Sequence, residues 1–244
     1  MKRPVVYAHR GASAICPENT MAAFRMALEM GAGGIETDVQ MSRDGRLVLC
    51  HDEMLDRTTN GRGPLAARAW DELRALDAGA WFGEEFAGER LPLLEDLLEL
   101  LAPSGARLNI EIKSGVVIYP GIEEAVVAEV RRHGMAERVI LSSFNHYSLL
   151  ACKRLAPEIA TGVLYMEGLV DPWLYARRIE ADALHPLHYG VRPELVAGAH
   201  AAGLLVNTWT VDDPGRIEVL SQAGVDGIIT NTPDRALAAL GTDA

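Results

Sequence analysis

Short apolar runs alternate along this chain with longer stretches in which apolar positions return every three or four residues. That is the rhythm of strand and helix units on a parallel sheet. The runs at 5–8, 34–39, 108–112, 139–142, 160–164, 183–185, 204–208 and 227–230 read as strands. Eight parallel strands close a barrel, and 244 residues is an ordinary size for one. The expected fold is therefore α/β, a (β/α)8 TIM barrel taking residues 1–244 as a single domain. Amphipathic stretches at 20–30, 93–101, 122–133, 193–202 and 216–223 supply helices between the strands. Asn19 or Thr20 can cap the first helix, Gly31 suits the left-handed residue after its end, and Pro193 suits a first helical turn.

One region departs from this rhythm. Arg43-Asp44-Gly45-Arg46 has the composition of a hairpin turn, which would return an extra strand, 47–50, beside the second barrel strand. Beyond His51 the segment 52–90 is rich in Gly, Arg and Asp and holds one weak helical stretch, 70–76. It reads as a small insertion after the second strand, expected to cover the barrel mouth.

Composition narrows the function. With 49% hydrophobic and 23% charged residues the chain is expected to fold throughout. A formal charge of -11 and a pI near 5.1 disfavour nucleic acid as a partner. An anionic substrate would need a local cluster of metal, Arg and Lys to draw it in. Cys16, Cys50 and Cys152 are odd in number and widely spaced, so they read as buried reduced thiols rather than a disulfide or zinc framework. The apolar run after Met1-Lys2-Arg3-Pro4 is too short for a secretory signal, and no stretch has the length of a membrane span. The expectation is a cytoplasmic enzyme without membrane insertion; oligomeric state is not legible.

Barrel strands are normally apolar on both faces, so ionisable residues within them call for a reason. Glu36 and Asp38 leave the same face of the second strand, and Asn109, Glu111 and Lys113 share a face of the third. Three converging carboxylates repel one another unless a cation lies among them, and an all-oxygen set suits Mg2+ or Ca2+. Pairing with Arg10 or Lys113 is the competing reading. His9 and His51 each end a short strand, on the side where barrel enzymes keep their chemistry, and two imidazoles can act as proton acceptor and donor in one reaction. His133, His146 and His200 lie in helical or loop contexts that favour structural roles; His185 and His188 could line the mouth or merely pack.

His9-Arg10-Gly11, Pro17-Glu18-Asn19-Thr20, Glu36-Thr37-Asp38, His51-Asp52, Arg57-Thr58-Thr59-Asn60-Gly61 and Glu111-Ile112-Lys113 occur in this order, each at a predicted strand end or helix start. Together they resemble the signature of glycerophosphodiester phosphodiesterases of the short cytoplasmic bacterial type, and the similarity extends to Trp209-Thr210-Val211. The resemblance implies that Glu36, Asp38 and Glu111 ligate one divalent metal, that His9 and His51 are the acid/base pair, and that Arg10 and Lys113 grip the phosphate. It also implies that Trp209 packs near the glycerol moiety. Glu18 would support the site or favour a helix N-terminus. The implied reaction is hydrolysis of a small glycerophosphodiester to sn-glycerol 3-phosphate and an alcohol through a cyclic phosphate. The alternatives are a lysophospholipase D-type diesterase on the same barrel, with Trp81, Phe82 and Phe86 as a docking surface, and a non-catalytic barrel that binds glycerol phosphates.

Overall fold

The apolar runs become strands β1 (Val5–His9), β2 (Gly34–Met41), β3 (Leu47–Leu49), β4 (Arg107–Ile112), β5 (Val139–Ser143), β6 (Ala160–Tyr165), β7 (Ala183–Pro186), β8 (Leu205–Thr208) and β9 (Gly227–Thr230) in a computed structural model that describes residues 3–241. Residues 1–2 and 242–244 of the expected domain lie outside the described residues. The sheet runs β1-β9-β8-β7-β6-β5-β4-β2 and closes through β1–β2, all in parallel. This is the (β/α)8 barrel, with β3 added antiparallel to the outer end of β2 through Val39↔Leu49 and Met41↔Leu47. Gly45, at φ +82°, makes the hairpin turn between them.

Helices α1 (Met21–Glu29), α2 (Trp70–Leu73), α3 (Leu94–Leu101), α4 (Ile122–Arg132), α5 (His146–Leu155), α6 (Pro172–Arg178), α7 (Pro193–Ala201), α8 (Pro214–Ala223) and α9 (Pro233–Ala239) follow in chain order. All but the single turn α2 connect barrel strands or end the circuit. Their ends follow the sequence. Thr20 Oγ1 caps α1 by accepting from Ala23 N at 3.3 Å, and Gly31 is left-handed beyond its end. Proline opens α6, α7, α8 and α9, where a missing N–H costs nothing.

Outside the barrel, Ile35, Val39, Ile110 and Ile112 pack against Phe24 of α1 and the leucines of α3. Leu94, Leu97, Leu98 and Leu101 recur at helical spacing and are all fully buried. Each stabilises the fold by about 1.5–3 kcal/mol. Inside, the barrel is filled rather than open. His185 is fully buried with Nε2 3.0 Å from the Asn207 amide, and a Cβ on Gly162 would stand 2.4 Å from that imidazole nitrogen, so only glycine fits opposite it. The 52–90 segment has its own small core of Leu55, Leu65, Leu73 and Ala78 against Val48, Cys50, Leu91 and Leu93.

Candidate active site

The loop after β1 is built for close approach. Arg10 and Asn19 are both left-handed, at φ +57° and +55°, conformations uncommon for non-glycine residues. Gly11, at φ +82°, lies so near α1 that a Cβ would meet the Ala23 carbonyl carbon at 2.6 Å. The turn aims the Arg10 guanidinium between two carboxylates. Its Nη1 donates to Glu18 Oε1 at 2.9 Å, and its Nε stands 3.2 Å from Asp38 Oδ2 as an ion pair without hydrogen-bonding geometry.

Glu36, Asp38 and Glu111 converge as the strand alternation requires, with one ligand oxygen from each within 4.8 Å of the others. β2 and β4 pair in register with Asp38 opposite Glu111, which sets the two carboxylates side by side. Lys113 Nζ reaches Glu111 Oε1 at 3.0 Å and Asp38 Oδ1 at 3.9 Å. Charge on this set is unevenly borne. Burial, then the neighbouring Asp38, pushes the Glu36 carboxyl well above the usual range, and the same two causes raise Glu111 to about 7. For Asp38 burial is outweighed by Arg10, His51 and Lys113, which hold it down to about 2. Arg10 and Lys113 thus pair with the carboxylates but do not saturate them, and Asp38 Oδ1 is buried without a hydrogen bond. Excess buried negative charge on hard oxygen donors, with one of them unsatisfied, fits a divalent cation.

His9 and His51 line one cavity of about 90 Å3 with Arg10, Glu36, Glu111 and Trp209. His9 Nδ1 lies 2.7 Å from Asn231 Oδ1, and its Nε2 lies 3.8 Å from Glu36 Oε2. Burial, then the Arg10 charge, lowers His9 to about 4, so its imidazole is neutral near pH 7. His51 Nδ1 donates to Asp52 Oδ1 at 2.6 Å. Arg57 holds that carboxylate through Nε at 2.6 Å and also grips both oxygens of Glu18, at 2.7 and 2.8 Å. The chain Arg10–Glu18–Arg57–Asp52–His51 therefore ties the first loop to the strand-end histidine and gives Glu18 a definite place in the site.

Trp209 sits just after β8, its indole Nε1 donating to His185 O at 2.8 Å and its ring edge-to-face with Phe144 at 5.6 Å. The other histidines stand apart from the cavity. His185 fills the barrel interior, where burial lowers it to about 3. His188 stacks on Tyr189, His146 contacts Tyr175 Oη at 2.8 Å, His200 contacts Asp226 at 2.8 Å, and His133 lies beside Glu129. A larger depression of about 910 Å3 lies between α1, α3 and the 52–90 segment; it is lined by Arg25, Trp70, Arg74 and Arg90 and gathers no histidine.

Several supporting residues escaped the sequence reading. Asn19 does not cap α1: its Nδ2 donates to Asp38 Oδ2 at 2.9 Å while its Oδ1 accepts from Thr37 Oγ1 at 2.8 Å. Gln40, next on the face of Glu36 and Asp38, donates to the carbonyls of Cys50 and Asp52 at 2.9 and 2.7 Å and so holds the chain on either side of His51. The period-two spacing from Asp38 to Gln40 was the available signal. Asn231 carried no such signal.

Residues 9–235 match the model of the Glycerophosphoryl diester phosphodiesterase family. A glycerophosphodiester phosphodiesterase of Caldanaerobacter subterraneus subsp. tengcongensis is 51% identical over 232 residues, 95% of this chain and 96% of that protein. The crystal structure of a glycerophosphodiester phosphodiesterase from Agrobacterium tumefaciens matches with a TM-score of 0.86 at 34% identity, covering 96% of this chain and 99% of that one. An Oleispira antarctica phosphodiesterase solved with its product sn-glycerol-3-phosphate matches with a TM-score of 0.88 at 31% identity, covering 98% of each chain. No helix among the described residues is long and apolar enough to cross a membrane. The barrel, its mouth and these likenesses agree: the chain belongs to the glycerophosphoryl diester phosphodiesterase family and is an enzyme of that class.

Proposed function

We propose that the chain hydrolyses small glycerophosphodiesters, such as glycerophosphocholine and glycerophosphoethanolamine, to sn-glycerol 3-phosphate and an alcohol. The observation that carries this reading is the pair His9 and His51, each held through Nδ1 with Nε2 left for chemistry, on one cavity with converging carboxylates. Glu36, Asp38 and Glu111 would hold one Mg2+ or Ca2+, which supplies positive charge against the phosphate oxygens. Arg10 offers the phosphate a planar fork and Lys113 a point charge. One imidazole takes the proton of the glycerol 2-hydroxyl as that oxygen attacks phosphorus. The other protonates the departing alcohol, and water then opens the cyclic phosphate with the two roles exchanged. Trp209 and Phe144 present an apolar wall to the glycerol carbons. Asp52 and Arg57 bring the start of the 52–90 insertion to the mouth as a partial cover. Three buried free thiols suit a cytoplasmic setting.

The test is release of sn-glycerol 3-phosphate from both substrates in EDTA, then with Mg2+ or Ca2+ restored. Release should require the metal, and His9→Ala and His51→Ala should each lower kcat by roughly two to four orders of magnitude. Near-normal turnover in either variant refutes the acid/base assignment.

A second reading has its own support. Beyond the C-terminal ends of β4 to β7, the same rim exposes Val116, Ile118, Phe144, Tyr147, Met166, Val170 and Tyr189. This half of the rim suits an acyl chain carried on the glycerol, as in a lysophospholipid. Phe82 packs edge-to-face with both Trp81 and Phe86, and Trp81 stays exposed. Comparing turnover of glycerophosphocholine with that of lysophosphatidylcholine separates the two readings.

A further inference from the structure

At the seam where the barrel closes, a second chain of polar groups reaches His9 from the far end of the sequence. Asn231, directly after β9, accepts from His9 Nδ1 at 2.7 Å and from Ser13 Oγ at 2.9 Å, both on Oδ1. Its Nδ2 donates to Asp212 Oδ2 at 2.6 Å. Asp212 is pinned in turn: its Oδ1 accepts from Thr230 Oγ1 at 2.9 Å and from Asn231 N at 2.8 Å.

The order of donors and acceptors in this chain is forced. A carboxylate only accepts, so the Asn231 amide must turn its nitrogen to Asp212 and its oxygen to His9. An amide oxygen also only accepts, so His9 must carry hydrogen on Nδ1. The lone pair then falls on Nε2, the nitrogen 3.8 Å from Glu36 at the cavity. We infer that Asn231 and Asp212 are positioning residues that fix the tautomer and ring orientation of His9, Asp212 acting through the amide without touching the imidazole. This rests on His9 being one of the two proton-transfer groups.

The arrangement makes a reciprocal exchange informative. Asn231→Asp sets two carboxylates against each other. Asp212→Asn sets an amide hydrogen against a donor, either the Asn231 backbone N–H or its Nδ2, which rewards flipping the Asn231 amide toward the wrong face. Combining the two substitutions restores every donor–acceptor pair with only the 231–212 direction reversed, since the carboxylate at 231 accepts from His9, from Ser13 and from the amide at 212.

The experiment measures kcat and KM on glycerophosphocholine with saturating metal, together with thermal melts. Variants are Asn231→Leu, each exchange substitution alone, the double exchange, and His9→Ala. Asn231→Leu should lower kcat by about 10–100-fold, the usual effect of losing the partner that orients a functional histidine, and leave KM within about threefold. Each single exchange should lower kcat, and the double exchange should recover at least about tenfold over the poorer single. A double variant that melts normally yet shows no recovery overturns the inference. So does full-rate Asn231→Leu beside an inactive His9→Ala. Full activity in His9→Ala instead overturns the underlying acid/base reading.

Discussion

Glu111→Gln isolates what the carboxylate cluster costs the fold. The substitution keeps the side chain's shape and its acceptor for Lys113 Nζ, now 3.0 Å away, but removes one negative charge. Burial and then Asp38 raise the Glu111 carboxyl from 4.5 to about 7. A carboxyl with its folded pKa above its unfolded value favours folding fully below the unfolded value and loses that contribution as pH rises through the folded one. At pH 8, without metal, ionised Glu111 therefore disfavours the folded state by roughly 3 kcal/mol. Glu36 and Lys113 readjust once the charge is gone, so the metal-free variant should exceed the parent by about 1–3 kcal/mol, or about 2–10 °C in Tm for a chain of this length. Thermal melts in EDTA across pH 8 to 4.5 would show this gain shrinking toward zero at the acid end. Adding Mg2+ or Ca2+ should raise the Tm of the parent and leave the variant nearly unmoved, since it lacks one of the three proposed ligands. A variant less stable than the parent at pH 8 in EDTA, or a gain that ignores pH, refutes the argument that buried charge at Glu111 opposes folding.

Three further outcomes follow from the geometry. Asp52→Asn can turn a donor toward His51 Nδ1 and so disfavour the tautomer that leaves Nε2 free; kcat should fall by about 10–100-fold with KM little changed, and an unchanged kcat refutes it. Arg57→Leu unlinks Glu18 from Asp52 while leaving both histidines and all three carboxylates in place, so its kcat should fall less than that of Asp52→Asn; a larger loss refutes the order assigned along the chain. Gly11→Ala must relieve both a left-handed backbone and a 2.6 Å approach to Ala23, and should cost at least about 2 kcal/mol in denaturant melts. A parental midpoint refutes that estimate.

Much of the barrel was legible because each strand is a short apolar run ending in polar punctuation, and periodicity reports such runs directly. β9 falls at 227–230 as read, and the hairpin at Gly45 returns β3 as expected. The convergence of charged groups at the candidate site was legible where alternation puts charge on a face that should be apolar: Glu36 with Asp38, and Asn109 with Glu111 and Lys113. The supporting contacts were not, for two reasons. Asn19 precedes a helix and reads as a cap, since nothing local distinguishes an amide that caps from one that holds a buried carboxylate. Asn231 lies 222 residues from the histidine it contacts, a pairing that only barrel closure creates. Asp212, in a loop before a helix, likewise reads as a turn former.

That closure has a consequence for how the molecule acquires its activity. β1 has its neighbours β2 and β9 at opposite ends of the chain, so the last seam to form during synthesis is the one beside His9. A growing chain can assemble the carboxylate face of β2 and β4 long before β9 emerges, yet His9 lacks its hydrogen-bond partner until then. Ligand affinity and turnover should accordingly appear at different moments of refolding, with turnover reporting the final, most sequence-distant contact.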